Sequence, residues 1–527
     1  MKNNFFYRIF QIYEIFLWFY KTIKLKNNNK NFFKGNYFFC EIASSTITVK
    51  VNCLLSLALM SKDYDIYVVF QKKSLFYELF YRCVGVKKFI YIDNFKKKNI
   101  KKFTYNSLKK LNKKKAFINF KYKSIDVGRF IASKVLRDQK KGNFDINDYD
   151  EKLIDDFVDN SISTILNFEK ILTTIPCKGI FFNERGYSPA GEIFELALKK
   201  KIKCIQWFGS PLENHHSFKS YNWSNRKFHP LSLEKDSFRK LLKSSKCSFF
   251  QKYLMEHLKE QYTEGKWFNR QKLQENKIIV DKNYLKDYLK IKNKKKICVI
   301  FTHVFNDATF FYGKSIFSSY EEWLREILKK IKNNDDFNWI IKIHPANLLR
   351  SQVSLEEKLI NSLFRKLPDN IKILKPNSPI NTYSFFRSCD IAFTVRGTIG
   401  CEMASFGIPV ITAGTGRYSN NGFTLDLKNK SDFHKIFRKL KRIKMLDENQ
   451  IKLARVYTYG SLIARSIKMD GIKIIYNKKF FFGQEKTDLE SLPKDYESFL
   501  STKDIRLFLQ WEKDSFKQDL IDFDNVR

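Results

Sequence analysis

The chain has 527 residues, of which 97 are Lys or Arg and 55 are Asp or Glu, giving a formal net charge of +42. Its 52 phenylalanines exclude a disordered basic tail, and its 19 glycines and 10 prolines exclude a collagen-like or linker-rich chain. The length suits two or more domains at about 100–200 residues each, and the charge calls for an anionic partner: nucleic acid, a lipid surface or a phosphorylated substrate.

Phe5 to Tyr20 is strongly apolar and aromatic, but Arg8, Gln11 and Glu14 interrupt it. The unbroken run, Ile15 to Tyr20, falls short of a signal-peptide core and of a spanning helix. On a helix the three polar residues form one stripe, and Lys21, Lys24 and Lys26 follow. Two readings fit: an aromatic helix lying in a membrane interface, or a helix packed on its own domain.

From residue 36 the pattern becomes β-α-β-α-β. The strands are Tyr37–Ile42, Asp65–Phe70 and Lys88–Ile92; the helices are Thr48–Met60 and Leu75–Val84. A lysine-dense stretch over 96–115 reads as solvated helix and loop. A helix over Glu151–Leu172, a strand over Gly179–Asn183, a helix over Pro189–Lys200 and a strand at Cys204–Trp207 continue the sheet. Residues 211–295, with His215, His216 and His229, read as a helical inter-domain region.

A second α/β series begins at Lys296. Its strands fall at 297–302, 339–343, 371–374, 390–395 and 409–413, separated by helical segments. Helical patterns run on to about residue 466, and an acidic segment from about Gln484 reads as a helix returning over the body. The expected fold is therefore α/β: two Rossmann-like domains facing a cleft, with an N-terminal aromatic helix and a helical C-terminal extension. The expected boundaries are 1–35, 36–285, 286–475 and 476–527.

The nine cysteines (40, 53, 83, 177, 204, 247, 298, 389 and 401) are scattered and contain no CxxC pair. This argues against a zinc ribbon or a disulfide framework and favours a reducing cytoplasm.

Glycines crowd one stretch: Gly397, Gly400, Gly407, Gly414, Gly416 and Gly422. Phe393 to Glu402 reads as a strand, a tight turn at Arg396-Gly397 and a helix capped by Thr398. Such a turn offers backbone N–H groups to a phosphate, with Arg396 adding a charged fork. Glu402 lies one helical turn beyond Thr398, placed to accept from ribose hydroxyls. Lys342-Ile343-His344-Pro345 ends a buried strand, so His344 sits where open α/β sheets bind ligands. His303, Asn306 and Asp307 follow the first strand of this half. Gly416 permits close backbone approach, and Arg417 adds positive charge after the last strand.

Lys342-Ile343-His344-Pro345, Arg396-Gly397-Thr398 with Glu402, and Gly407-Ile408-Pro409-Val410 together resemble the bacterial capsule polysaccharide biosynthesis proteins. These are glycosyltransferases of the two-Rossmann (GT-B) architecture, including the capsular Kdo-transferase group. The resemblance covers residues 296–426; the N-terminal half matches in architecture. It implies that His344 and Pro345 help bind the donor nucleotide's phosphate or sugar, and that Glu402 binds the ribose.

In the first half, Asn183-Glu184-Arg185-Gly186 places Glu184 at a strand end, as a base toward an acceptor hydroxyl or as a nucleophile. The alternative is a loop carboxylate paired with Arg185. Asp126 and Glu213 are weaker candidates. His215-His216 lacks a third ligand at a telling spacing, so no metal site is expected.

The expected catalytic residues are Glu184, His303 and Asp307. The expected donor-binding residues are Lys342, His344, Pro345, Arg396, Gly397, Thr398, Glu402, Gly416 and Arg417. The expected activity is sugar transfer from a nucleotide-sugar to a surface or capsular glycan acceptor, which can be lipid-linked. No cofactor is called for beyond that co-substrate. No DxD motif sits at a strand end, so metal-independent chemistry is expected. The rival enzyme is a teichoic-acid-type CDP-glycerol glycerophosphotransferase, whose Ser-rich turn is replaced here by Arg396-Gly397-Thr398. The non-enzymatic rival, nucleic-acid binding, lacks basic residues interleaved with stacking aromatics, so nucleic acid is not an expected partner. The expected location is cytoplasmic, with the inner face of the membrane open through the aromatic helix and the lysines near 21–30 and 96–115.

Overall fold

The computed structural model describes residues 3–26, 33–42, 45–95, 117–212, 214–264, 273–349, 354–471, 473–475, 486–514 and 517–523. The lysine-dense stretch 96–115 and Glu213 lie outside the described residues. The chain folds as two units. Unit 1 comprises residues 1–131, 149–226 and 465–527, and unit 2 comprises 132–148 and 227–464.

Unit 1 is built on the strands β1 (Gly35–Glu41), β2 (Tyr64–Phe70), β3 (Lys88–Tyr91), β4 (Cys177–Phe182), β5 (Lys203–Gly209) and β6 (His215–Tyr221). The sheet order is Ile467–Lys468, β6, β5, β4, β1, β2, β3. Strands β1 to β5 run parallel, as their apolar runs separated by helices predict. The order reverses between β1 and β4, where Phe39 stacks on Phe181 at 4.6 Å. The helix α1 (Asn3–Thr22) precedes this sheet, and α2 (Thr46–Met60) and α3 (Leu75–Cys83) cross between its first strands.

The helical expectation for 211–295 is corrected at β6, which pairs antiparallel with β5. Hydropathy hides this strand because its buried groups are polar. Lys219 is fully buried and pairs with Asp519 at 2.7 Å, and Arg465 reaches the same carboxylate at 3.2 Å. Removing Asp519 would leave two buried cations without their carboxylate, at a cost of about 3–5 kcal/mol. The acidic C-terminal segment does return over this unit. It forms helices at Tyr496–Ser501 and Lys503–Lys513, and Phe508 packs 5.6 Å from Phe218. Among the described residues no helix is long and apolar enough to cross a membrane.

Unit 2 carries β7 (Ile297–Phe301), β8 (Asn338–Lys342), β9 (Ile371–Leu374), β10 (Ile391–Thr394), β11 (Val410–Thr412) and β12 (Leu425–Asp426). All are parallel, in the order β12, β11, β10, β7, β8, β9. The helix α4 (Tyr320–Ile331) illustrates the local logic. Ser319 caps it through the Glu322 amide, and Trp323, Leu324, Ile327, Leu328 and Ile331 form its buried stripe. The helical segment expected between β9 and β10 is a 3-10 turn, Thr382–Phe386. The order reverses at β7, flanked by β10 on one side and β8 on the other. The carboxyl ends of these three strands define the crevice where such sheets bind ligands.

Candidate active site in the second unit

The crevice is a cavity of about 290 Å3 in unit 2. Its lining comes from the ends of β7, β8 and β10, and includes His303, Asp307, Lys342, His344, Pro345, Arg396, Gly397, Thr398 and Arg417 from the sequence candidates. Glu402 and Gly416 do not line it. Glu184 belongs to unit 1, in the loop after β4.

Strand alternation places Lys342. Trp339, Ile341 and Ile343 enter the apolar core on one face of β8. Lys342 projects to the other face, with its ammonium 6.0 Å from the Phe385 ring. Burial pushes its pKa down to about 7, with the charge of Lys277 adding to the effect. Among the described residues no carboxylate is recorded in ion-pair contact with its Nζ.

His344 follows directly. Its backbone N–H donates to Thr302 Oγ1 at 3.0 Å, and its Nδ1 accepts the Ala346 N–H at 3.1 Å. A neutral ring accepting at Nδ1 carries its proton on Nε2. Pro345 opens the 3-10 turn Pro345–Leu349, which brings the Ala346 amide back onto the imidazole.

His303 has a different task. Its Nε2 accepts the Val395 N–H at 3.1 Å and lies 3.1 Å from Thr394 Oγ1; the Arg396 N–H is 3.4 Å away. The ring stacks on Tyr320 at 4.4 Å. Burial, with His344, Arg396 and Arg417 nearby, holds its pKa well below the usual histidine value. His303 is therefore a neutral acceptor that shapes the turn after β10.

That turn differs from the expected phosphate nest. The amides of Val395, Arg396 and Gly397 are already taken by His303 and Thr394. Thr398 has helical backbone angles and makes no side-chain cap bond, so the short helix Ile399–Ser405 starts without the expected Thr398 cap. What the turn presents to the cavity is the Arg396 guanidinium. Its Nη2 donates to Ser315 Oγ, and Gly414 leaves room for it: a Cβ there would lie 2.9 Å from Nη2.

Arg417 donates to the Arg396 carbonyl at 3.3 Å and lies against the His229 imidazole, 2.6 Å from Nε2. Both arginines are held by a clasp of backbone segments. Gly313 N–H donates to Lys227 O, His229 N–H to Gly416 O and Thr415 N–H to Lys314 O. Gly313 and Gly416 have φ of +58° and +98°, and a Cβ on Gly416 would sit 2.8 Å from the Gly313 backbone. Gly416 is thus a glycine of this clasp.

Glu402 is buried, and its Oε2 accepts the Tyr262 hydroxyl at 2.5 Å. Tyr262 does line the cavity, so the carboxylate meets it through the phenol. Burial and Glu402 raise the Tyr262 pKa well above its ordinary value, which keeps the phenol protonated and donating. Asp307 is half-buried and is the one carboxylate on the described lining.

In unit 1, Glu184 Oε1 accepts the Arg185 N–H at 3.0 Å, while the Arg185 guanidinium binds Gln206 and the Arg226 carbonyl. Asp126 is buried and pairs with Lys121 and Arg129. His216 is buried in β6, edge-on to Trp207. Among the described residues no group of three His, Cys, Asp or Glu side chains is placed to hold a metal ion.

The lining also takes polar side chains that are not among the sequence candidates, among them Tyr262, Gln274, Thr302, Tyr312, Tyr320 and Thr394. Thr302 and Thr394 were findable as hydroxyls at the ends of buried strands. The tyrosines come from helices and loops whose pattern carries no such mark.

Residues 232–457 match the model of the family described as capsule polysaccharide biosynthesis protein. No curated protein matches the chain. Solved structures similar to it include two enzymes of Thermosulfurimonas dismutans KpsC. The beta Kdo 2,4 transferase is 13% identical, covering 54% of this chain and 80% of that one, with a TM-score of 0.33. The beta Kdo 2,7 transferase is 12% identical, covering 66% and 89%, also at 0.33. The UDP-GlcNAc 2-epimerase of Neisseria meningitidis, bound to UDP-GlcNAc, is 14% identical, covering 82% and 96%, at 0.27. At those scores the likenesses carry no weight for function. The family match spans the whole second sheet and every lining residue of the cavity except His229.

Proposed function

We propose that the chain is a glycosyltransferase whose unit 2 cavity holds the phosphate-bearing part of a nucleotide-sugar, and that it transfers the sugar to a glycan acceptor of a surface polysaccharide. The observation that carries this reading is the charge of one cavity: Lys342, Arg396 and Arg417 converge on it against the single carboxylate of Asp307. Two arginines gathered at low dielectric, beside a lysine whose pKa burial lowers to about 7, cost free energy until an anion arrives.

The same groups suit the chemistry. As the glycosidic bond to the donor phosphate breaks, negative charge grows on the leaving nucleotide. Preorganised donors aimed at that charge lower the barrier without reorganising. In this reading Arg396 and Lys342 supply the charge, and His344 donates from Nε2 to a phosphate oxygen. His303 acts by positioning, since its Nε2 is engaged with the backbone of the β10 turn. The acceptor hydroxyl must lose a proton, and the carboxylate that the cavity lining offers for this is Asp307. The cationic lining takes the electrostatic role that a divalent metal fills elsewhere, so turnover is expected to persist with chelator present.

A donor screen tests the reading. Nucleotide release from CMP-, UDP- and GDP-sugars should exceed release from CDP-glycerol with a glycan acceptor present. Turnover of CDP-glycerol alone would assign the cavity to glycerophosphate transfer. Steeply salt-dependent RNA binding with no nucleotide-sugar turnover would overturn both.

A further inference from the structure

The helix α1 carries apolar side chains on both faces, unlike a helix on a water-soluble surface: Trp18 enters the core with Ile15 packed against it, and a second apolar set faces out. On the side facing its unit, Glu14 pairs with the buried Lys50 at 2.7 Å, and the buried Thr22 donates within the helix to the Trp18 carbonyl. The contact is anchored by Trp18, fully buried, with its indole N–H donating to Phe80 O at 3.2 Å. The opposite face carries Ile12, Tyr13, Phe16, Phe19, Tyr20 and Ile23, all exposed, with Ile12 at 68% and Phe16 at 63%. These positions form one stripe of a 3.6-residue helix.

The ground beside the stripe is basic. Lys24 is exposed at its end. Lys72 and Lys73 are exposed at the start of α3, the helix that α1 packs on, and the first residue of α3, Leu75, is 63% exposed. Lys87 adds further exposed charge. The carboxylates on α1 and on the elements packed against it are each matched to a cation: Glu14 to Lys50, Glu78 to Arg82 and Glu490 to Lys21.

A protein partner for an apolar stripe does not require flanking lysines, whereas an anionic lipid surface does. The stripe is also rich in aromatics, including two tyrosines, whose apolar ring and polar tip suit the headgroup level. A 20-residue helix is about 30 Å long, enough to lie along a bilayer surface. We propose that the outer face of α1 docks unit 1 on an anionic bilayer, with Ile12, Phe16 and Ile23 entering the headgroup–acyl boundary and Lys24, Lys72 and Lys73 at the lipid phosphates. The proposal stands independently of the donor-site reading.

The test is co-sedimentation of the full chain with phosphatidylcholine vesicles, with and without phosphatidylglycerol. The wild type should sediment with the anionic vesicles and stay in solution with the neutral ones. The variant I12S/F16S/I23S should lose at least tenfold in vesicle affinity while keeping its circular dichroism spectrum and melting temperature, because all three side chains face outward. The variant K72E/K73E should weaken binding to the anionic vesicles. Sedimentation of the triple variant at wild-type level would overturn the proposal. So would a wild type that ignores vesicles and instead forms a dimer that the triple variant dissolves.

Discussion

The hydroxyl of Tyr262 donates to Oε2 of Glu402 at 2.5 Å, so the carboxylate that the sequence places on a ribose meets the cavity through a phenol. Tyr262→Phe removes a donor from a buried carboxylate at nearly constant volume. The expected loss is about 1–3 kcal/mol of stability, read as a lowered urea midpoint at unchanged m-value. Nucleotide affinity should fall with it, since the ring is part of the lining. Unchanged stability and affinity would show that the bond organises nothing.

Lys342 makes ligand binding pH-dependent. Its pKa is held at about 7 by burial, against 10.5 for the ordinary side chain. Between those values the unfolded chain binds a proton that the folded chain does not, so this residue makes stability rise with pH across that window and lowest below pH 7. A phosphate in the cavity favours the charged ammonium and raises the pKa. Binding at pH 8 should therefore take up a proton, up to about one per site, and affinity should fall by as much as tenfold per pH unit above 7. Titration calorimetry in two buffers of different ionisation enthalpy measures the uptake. Lys342→Met should abolish it, and uptake persisting in that variant would assign the proton elsewhere.

The clasp under the arginines gives a test that leaves every charge in place. A Cβ on Gly313 would lie 2.0 Å from the Thr415 carbonyl oxygen, in a backbone with φ of +58°. Gly313→Ala should cost about 1–3 kcal/mol in chemical denaturation and should also weaken nucleotide binding, because segment 313–316 carries Ser315 against Arg396. Lost stability with intact affinity would separate the clasp from the site.

The alternation of strands and helices in both units was legible because each parallel strand is a short apolar run, bounded by helices with a clear buried stripe. The strand β6 was not, because it is buried through charge: Lys219 finds Asp519 some 300 residues away. The residues Lys342, His344, Arg396 and Arg417 were legible as polar groups at the ends of buried strands. Their context was not. The occupied amides of the β10 turn depend on His303, 92 residues before Val395, and the placement of Glu402 depends on Tyr262, 140 residues before it. Gly416 was read as giving access to a ligand because a glycine's φ shows in sequence only as freedom, and its use, here against Gly313, shows only in three dimensions.

The account stands most directly on whether the unit 2 cavity holds a nucleotide-linked donor. The measurement is a thermal-shift panel of CMP-, UDP-, GDP- and CDP-linked compounds on the wild type and on His344→Ala. At least one nucleotide-sugar should stabilise the wild type, by about 2.7 kcal/mol at a hundred times its Kd. Loss of the Nε2–H donor to a charged oxygen should raise that Kd roughly 10- to 150-fold and remove about half of the shift or more. A wild type that no nucleotide stabilises, or a His344→Ala variant stabilised equally, would contradict the account.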